Sequence, residues 1–141
     1  MDRDILSLFT SQSASIALKK DGAIVYSHYG RGIAPALELY DHHPEVLHGA
    51  DVFDLIVGKA AASIFILGGA KSVSALTISE AAANLLIQYH IPCSWQEKTK
   101  EIINRQGTGL CPFEQAVLSA QSAEECLPLI RSTLQFLRNK A

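Results

Sequence analysis

Residues 51–70 read DVFDLIVGKAAASIFILGGA. Apart from Asp51, Asp54, Lys59 and Ser63, every position is apolar or glycine, so whatever this stretch forms must be buried. Asp51 suits a helix N-cap and Gly68-Gly69 a helix C-cap. The reading is one long helix, apolar on all sides and therefore covered by a sheet. Ala60, Ala61 and Ala62 would let a neighbouring backbone approach closely. The charged residues and small side chains leave the run short of a membrane span of about 20 apolar residues.

Downstream, KSVSALTIS (71–79) reads as a strand, and Ser79 as the cap of a helix, EAAANLLIQYH, that stops before Pro92. PCSWQE is a short strand, KTKEIINR a brief helix or turn, and CPFEQAVLSA a further helix entered through NRQGTGL. In the tail, Ser122 and Glu125 have capping-box spacing. Pro128 would break an interior hydrogen bond, so the last helix is expected to start at Pro128, with Leu127, Ile130, Leu134 and Leu137 on one face.

Upstream, Asp2 to Thr10 carries Ile5, Leu6, Leu8 and Phe9, enough for a short packed helix. SASIALKK and AIVYSHY flank Asp21-Gly22, a hairpin signal because both residues tolerate positive φ. GRGIAPALELY has Pro35 in the first turn of a short helix ending near Tyr40, and DHHPEVLHGA reads as a loop. The order predicts a three-layer α/β/α sandwich with one mixed sheet.

A chain of 141 residues is one domain on this reading, 1–141, and buries about 70% of its unfolded surface. With 48% hydrophobic and 18% charged residues it is too apolar for disorder. A net charge of −2 offers no basic field for a phosphate backbone, which argues against nucleic acid as a partner. The first residues, MDRDILSLFTSQ, place acids behind the Met and lack the apolar core of a secretory signal. Cys93, Cys111 and Cys126 are odd in number and widely spaced, as suits reduced thiols. The expectation is a cytoplasmic protein without a membrane partner.

The combination of KDGAIVY, GIAPALELY, DLIVGKAAA, LTISEAAANLL and INRQGTGLCPFEQAV resembles a family of small bacterial proteins of unknown function with the cytidine-deaminase-like fold. The resemblance runs from about Ser13 to Leu137. Its most specific pieces are Asp54 with Gly58-Lys59-Ala60-Ala61, and Asn104-Arg105 with Gly107, Gly109, Cys111, Pro112 and Glu114. It implies a cytidine-deaminase-like sandwich, and a homodimer by analogy with that superfold. Zinc deaminases carry H-x-E (or C-x-E) and P-C-x-x-C at two helix starts. Here the first helix has GKAAA and the second SEAAAN, so neither a metal site nor zinc-dependent deamination is expected, and no cofactor is predicted.

The candidate residues each have two readings. Lys59, alone in an apolar helix, either snorkels to a partner or contacts a ligand phosphate or carboxylate. Asp54 sits near it and is expected to stabilise the first helical turn. Cys111 is an N-cap with Glu114 reaching back to it, or a thiolate activated by the helix N-terminus. Gly107-Thr108-Gly109 is a loop, or a cradle for an anion with Arg105 beside it. Asn104 reads an amide or caps the preceding turn. His42, His43 and His48 lie near Asp41 and Glu45 without regular metal-ligand spacing and are read as a solvated loop. Together Asp54, Gly58, Lys59, Asn104, Arg105, Gly107, Thr108, Gly109 and Glu114 suggest a metal-free site for a small anionic, nucleotide-like molecule. The alternatives are a transferase or hydrolase using Lys59 or Cys111, and an inert interaction subunit.

Overall fold

The structure is a computed structural model that describes residues 2–30, 32–104 and 106–140. Its twelve elements among these residues are α1 (Arg3–Ser11), β1 (Ile16–Lys20), β2 (Ala23–His28), α2 (Ala34–His42), α3 (Pro44–Leu47), β3 (Asp51–Val57), α4 (Lys59–Leu67), β4 (Ser72–Ser79), α5 (Glu80–Gln88), β5 (Cys93–Thr99), α6 (Pro112–Ala116) and α7 (Ala123–Lys140). The five strands form one mixed sheet in the order β2-β1-β3-β4-β5. β1 is antiparallel to β2 and β3, while β3, β4 and β5 run parallel.

The stretch 51–70 is not one helix. Asp51–Val57 is the central strand, Gly58 turns the chain in an extended conformation (φ −96°, ψ 179°), and the helix begins at Lys59. An uninterrupted apolar run does not distinguish a buried strand from a buried helix. What decides here is the β-branched and aromatic bias of VFDLIV against the alanine-rich AAASIFIL, with Gly58 as the break. The C-terminal half of the reading holds: the helix ends at Gly68, and Gly69 takes φ +78°.

Asp21 (φ +52°) and Gly22 (φ +80°) make the expected tight turn between β1 and β2. Side chains alternate across the sheet. Ala17 faces one side, where Ile5 and Phe9 of α1 pack with Phe53, Leu55 and Leu76. Ile16, Leu18, Val52 and Val73 face the other, under Ile64 and Phe65 of α4, Leu86 of α5 and Ile130 of α7. Helices therefore cover both faces, α1 alone on one of them. Asp2 caps α1 by accepting from Asp4 N at 2.9 Å and ties it to the sheet through Lys19 at 2.6 Å. Ser79 caps α5 as expected, accepting from Ala82 N at 3.1 Å.

Three other expectations shift. DHHPEVLHGA is not all loop: α2 runs on to His42, and Pro44 opens the short α3, whose Leu47 is buried. KTKEIINR, expected as a brief helix or turn, forms no helix among its described residues. Lys98 and Thr99 complete β5, and an antiparallel Ile103–Leu110 bridge pairs residues 102–104 with 109–111 as the arms of a narrow hairpin. α7 begins at Ala123, not Pro128, because Ser122 Oγ accepts from Glu125 N at 3.1 Å and nucleates the first turn. Pro128 is tolerated inside because it and Glu124, whose carbonyl loses its donor, are both exposed to water. Among the described residues no helix is long and apolar enough to cross a membrane.

Candidate functional site

A cavity of about 550 Å³ opens beside the C-terminal end of β3, walled by α2, the first turn of α4, the 102–111 hairpin and α6. This is the end of a parallel strand, where open α/β sheets commonly hold ligands. The size suits a small organic molecule. Asp54, Gly58, Asn104, Cys111 and Glu114 of the sequence-derived set line it. Arg105 lies outside the described residues, although its chain neighbours Asn104 and Gln106 are both in the wall.

Asp54 is a strand residue, not a first-turn helix residue, since the element that holds it is β3. It pairs with Ile16 on one side and Ala75 on the other, so its carboxyl leaves the sheet between two apolar neighbours. Burial pushes its pKa up to about 7, only partly opposed by the backbone N–H groups of Leu55 and Ile56. Among the described residues it has no ion-pair partner.

Glu114 does not reach back to Cys111, whose N–H instead donates to Ile102 O at 2.9 Å. It crosses to the start of α4, where Oε1 accepts from Lys59 N at 2.7 Å and Oε2 from Ala60 N at 2.9 Å. The N-terminus of α4 is thus filled by the chain's own carboxylate. Gly58 makes this approach feasible, because a Cβ there would lie 2.5 Å from the Glu114 carboxyl carbon. Burial raises the Glu114 pKa, against the lowering effect of those two amides and the Lys59 charge.

Lys59 turns away from the cavity. Its ammonium donates to the carbonyl oxygens of Leu118 and Ala120, closing the connection between α6 and α7. It is therefore the snorkelling lysine with a partner, and the partners are backbone carbonyls. The 107–109 loop is likewise self-contained. Gly107 N donates to Asn104 O at 3.1 Å and Thr108 N to Asn104 Oδ1 at 3.1 Å, so two of its amides are already engaged. Asn104 staples the hairpin, and Gly107, Thr108 and Gly109 stay outside the cavity wall.

Cys111 is the N-cap position of α6 without a side-chain cap bond, and its half-buried thiol lines the cavity. No histidine is among the described lining residues. His28 accepts from Gly30 N at 2.7 Å, and His42 and His43 sit beside Glu38. Among the described residues no three His, Cys, Asp or Glu side chains gather where they could hold a metal. Sequence reasoning missed Ser15, whose Oγ donates to Gly30 O at 2.5 Å and pins the loop before α2 against the cavity. It also missed Ile33, Ala36 and Phe113, and only their apolar character signalled them.

The family model described as TM1506, domain of unknown function (DUF1893), matches residues 4–134. Among solved structures, the chain is similar to a DUF1893 family protein (TM1506) from Thermotoga maritima. The two are 31% identical, the match covers 94% of this chain and 87% of that one, and the TM-score is 0.81. No curated protein matches. With nearly its whole length matched by the family model and by a solved relative, the chain belongs to the DUF1893 family.

Proposed function

We propose that this protein binds a small molecule in the cavity at the end of β3, without a metal, on a single cytidine-deaminase-like domain. The observation that carries the reading is Asp54. A carboxyl between Ile16 and Ala75, with no ion-pair partner among the described residues, is a standing cost to the fold. Such a group opening into a preformed, mostly apolar cavity is the usual anatomy of a ligand site. A mixed sheet with helices on both faces supports the finer fold assignment. The anionic, nucleotide-like ligand expected from Lys59, Arg105 and the 107–109 loop has lost two of its three supports, and only Arg105 still favours it.

One observation favours a second reading. Cys111 lines the same cavity, as a nucleophile in a transferase or hydrolase would. An ordinary, slow alkylation rate of Cys111 by iodoacetamide at neutral pH removes that reading.

The binding reading is tested by native mass spectrometry of freshly purified protein together with thermal melting against a metabolite library. Ala61→Phe serves as the variant that fills the cavity from α4. The reading expects retained or added molecules that raise the melting temperature of the parent and leave Ala61→Phe unmoved. A parent that neither retains nor responds to any molecule overturns it and leaves an interaction subunit.

A further inference from the structure

The chemistry of the cavity wall restricts the ligand class. Of the two carboxyl groups that line it, Glu114 is occupied, with one oxygen on each of the Lys59 and Ala60 amides. Asp54 is the acid left facing a ligand. The titratable side chains among the described lining residues are Asp54, Cys111 and Glu114, and each is either neutral or negative. No lysine, arginine or histidine joins them among the described residues, which leave out Arg31 and Arg105, each between two lining residues in the sequence. The remaining wall is largely apolar, with Ile33, Leu55, Ile102 and Phe113 in it. Ile56 and Ile103, 54% and 50% exposed, stand at the same cavity and offer apolar surface to an incoming molecule.

An apolar wall around a carboxyl of this kind attracts a group that brings its own N–H donors and positive charge. We propose that the cavity takes a monocationic organic ligand, an amine or amidine on an apolar body, whose N–H groups sit on the Asp54 carboxylate. The proposal rests on the binding reading above and specifies its ligand. It accounts for an acid kept in the middle of the central strand, where an apolar residue would pack against Ile16 and Ala75 at no electrostatic cost. It also gives binding a proton signature. Burial leaves Asp54 largely protonated below neutrality, and a bound cation draws it into the charged form, so binding releases protons.

Isothermal titration with 2-naphthamidine, 2-naphthamide and 2-naphthoate tests this with one shape in three charge states. The naphthoate arm is the one that Arg105 as an anion contact would favour. At pH 7.5 the amidine is expected to bind about tenfold tighter than the amide, with the naphthoate weakest. Asp54→Asn is expected to weaken the amidine about tenfold and to leave the amide within about threefold. In the parent, amidine binding at pH 7 is expected to release about half a proton, read from the dependence of the heat on buffer ionisation, a measurement that needs no variant. Amide or naphthoate binding as tightly as the amidine, an unchanged preference in Asp54→Asn, or no proton release overturns the cationic class while cavity binding stands. Failure of all three probes to bind, in a protein that also retains and responds to no metabolite, overturns both.

Discussion

Replacing Asp54 by asparagine is expected to make the protein more stable at neutral and alkaline pH, and the size of the gain follows from where the carboxyl sits. The fold raises its pKa from 3.8 to about 7. A raised folded-state pKa favours the protonated form, so the contribution of Asp54 is most favourable below 3.8 and is lost as pH rises through about 7. A shift of about three units at about 1.4 kcal/mol per unit gives about 4 kcal/mol between the two ends. Asp54 is only half-buried and water reaches it through the cavity, which brings the expected cost to about 2–4 kcal/mol at pH 8. Asparagine has the same shape, does not titrate, and can still accept from the Leu55 and Ile56 amides through Oδ1. For a chain of this length, Asp54→Asn should melt about 6–12 °C higher than the parent at pH 8, with a much smaller difference at pH 4. Differential scanning calorimetry of the two proteins from pH 4 to 9 reads this directly. Glu114 titrates in both, so it cancels in the difference. Parallel pH profiles, or a variant less stable at pH 8, would refute the reasoning, because Asp54 would then be a satisfied structural group. A residue whose removal stabilises the fold is characteristic of a functional position.

Gly58→Ala should cost about 1–3 kcal/mol in urea unfolding, because the new Cβ displaces Glu114 from the Lys59 and Ala60 amides and leaves buried polar groups unpaired. The Gly58 backbone is extended, so no φ strain contributes, and a neutral result would mean that Glu114 does not hold the helix start. Lys59→Ala is expected to lose about 1 kcal/mol from the carbonyls of Leu118 and Ala120 while leaving probe affinity in the cavity unchanged. A loss of ligand affinity in that variant would restore Lys59 as a ligand contact. Asp41→Asn should cost about 1 kcal/mol or less, since its bidentate pair with Arg131 (2.7 and 3.0 Å) joins α2 to α7 at the surface. The Arg131 guanidinium holds the Asp41 carboxyl below its usual range, so this stability is present above pH 3.8 and is lost as pH falls through the lowered value. High salt should erase the difference between parent and variant, and a difference indifferent to salt would exclude the ion pair as its source.

The elements that announced themselves in the sequence are those fixed by local chemistry. The Asp21-Gly22 turn, the Ser79 cap, Pro35 in the first turn of α2 and the Cys111-Pro112 helix start all depend on residues within a few positions of one another. What was not legible depends on partners far along the chain. Glu114 has capping-box spacing from Cys111, yet its amides lie 54 and 55 residues away on α4. Lys59 finds its carbonyls at Leu118 and Ala120, and the cavity wall draws on residues from Ser15 to Glu114. The reading of 51–70 as a single helix failed for a related reason. A strand buried on both faces and a helix buried all round present the same unbroken apolar run, and the distinction lay in side-chain branching around Gly58. Asp54 was read as a first-turn helix residue, and only its place in β3 reveals an acid in the central strand.

The central claim is that Asp54 is a half-buried carboxyl waiting for a cationic group. Carbon-13 NMR of the Asp54 side-chain carboxyl, titrated from pH 4 to 9 with and without 2-naphthamidine, addresses it without a variant. The account predicts a midpoint near 7 in the free protein, falling by about one unit or more when the amidine is bound. A free midpoint near the ordinary carboxylate value of about 4, or one that saturating amidine leaves in place, would contradict it.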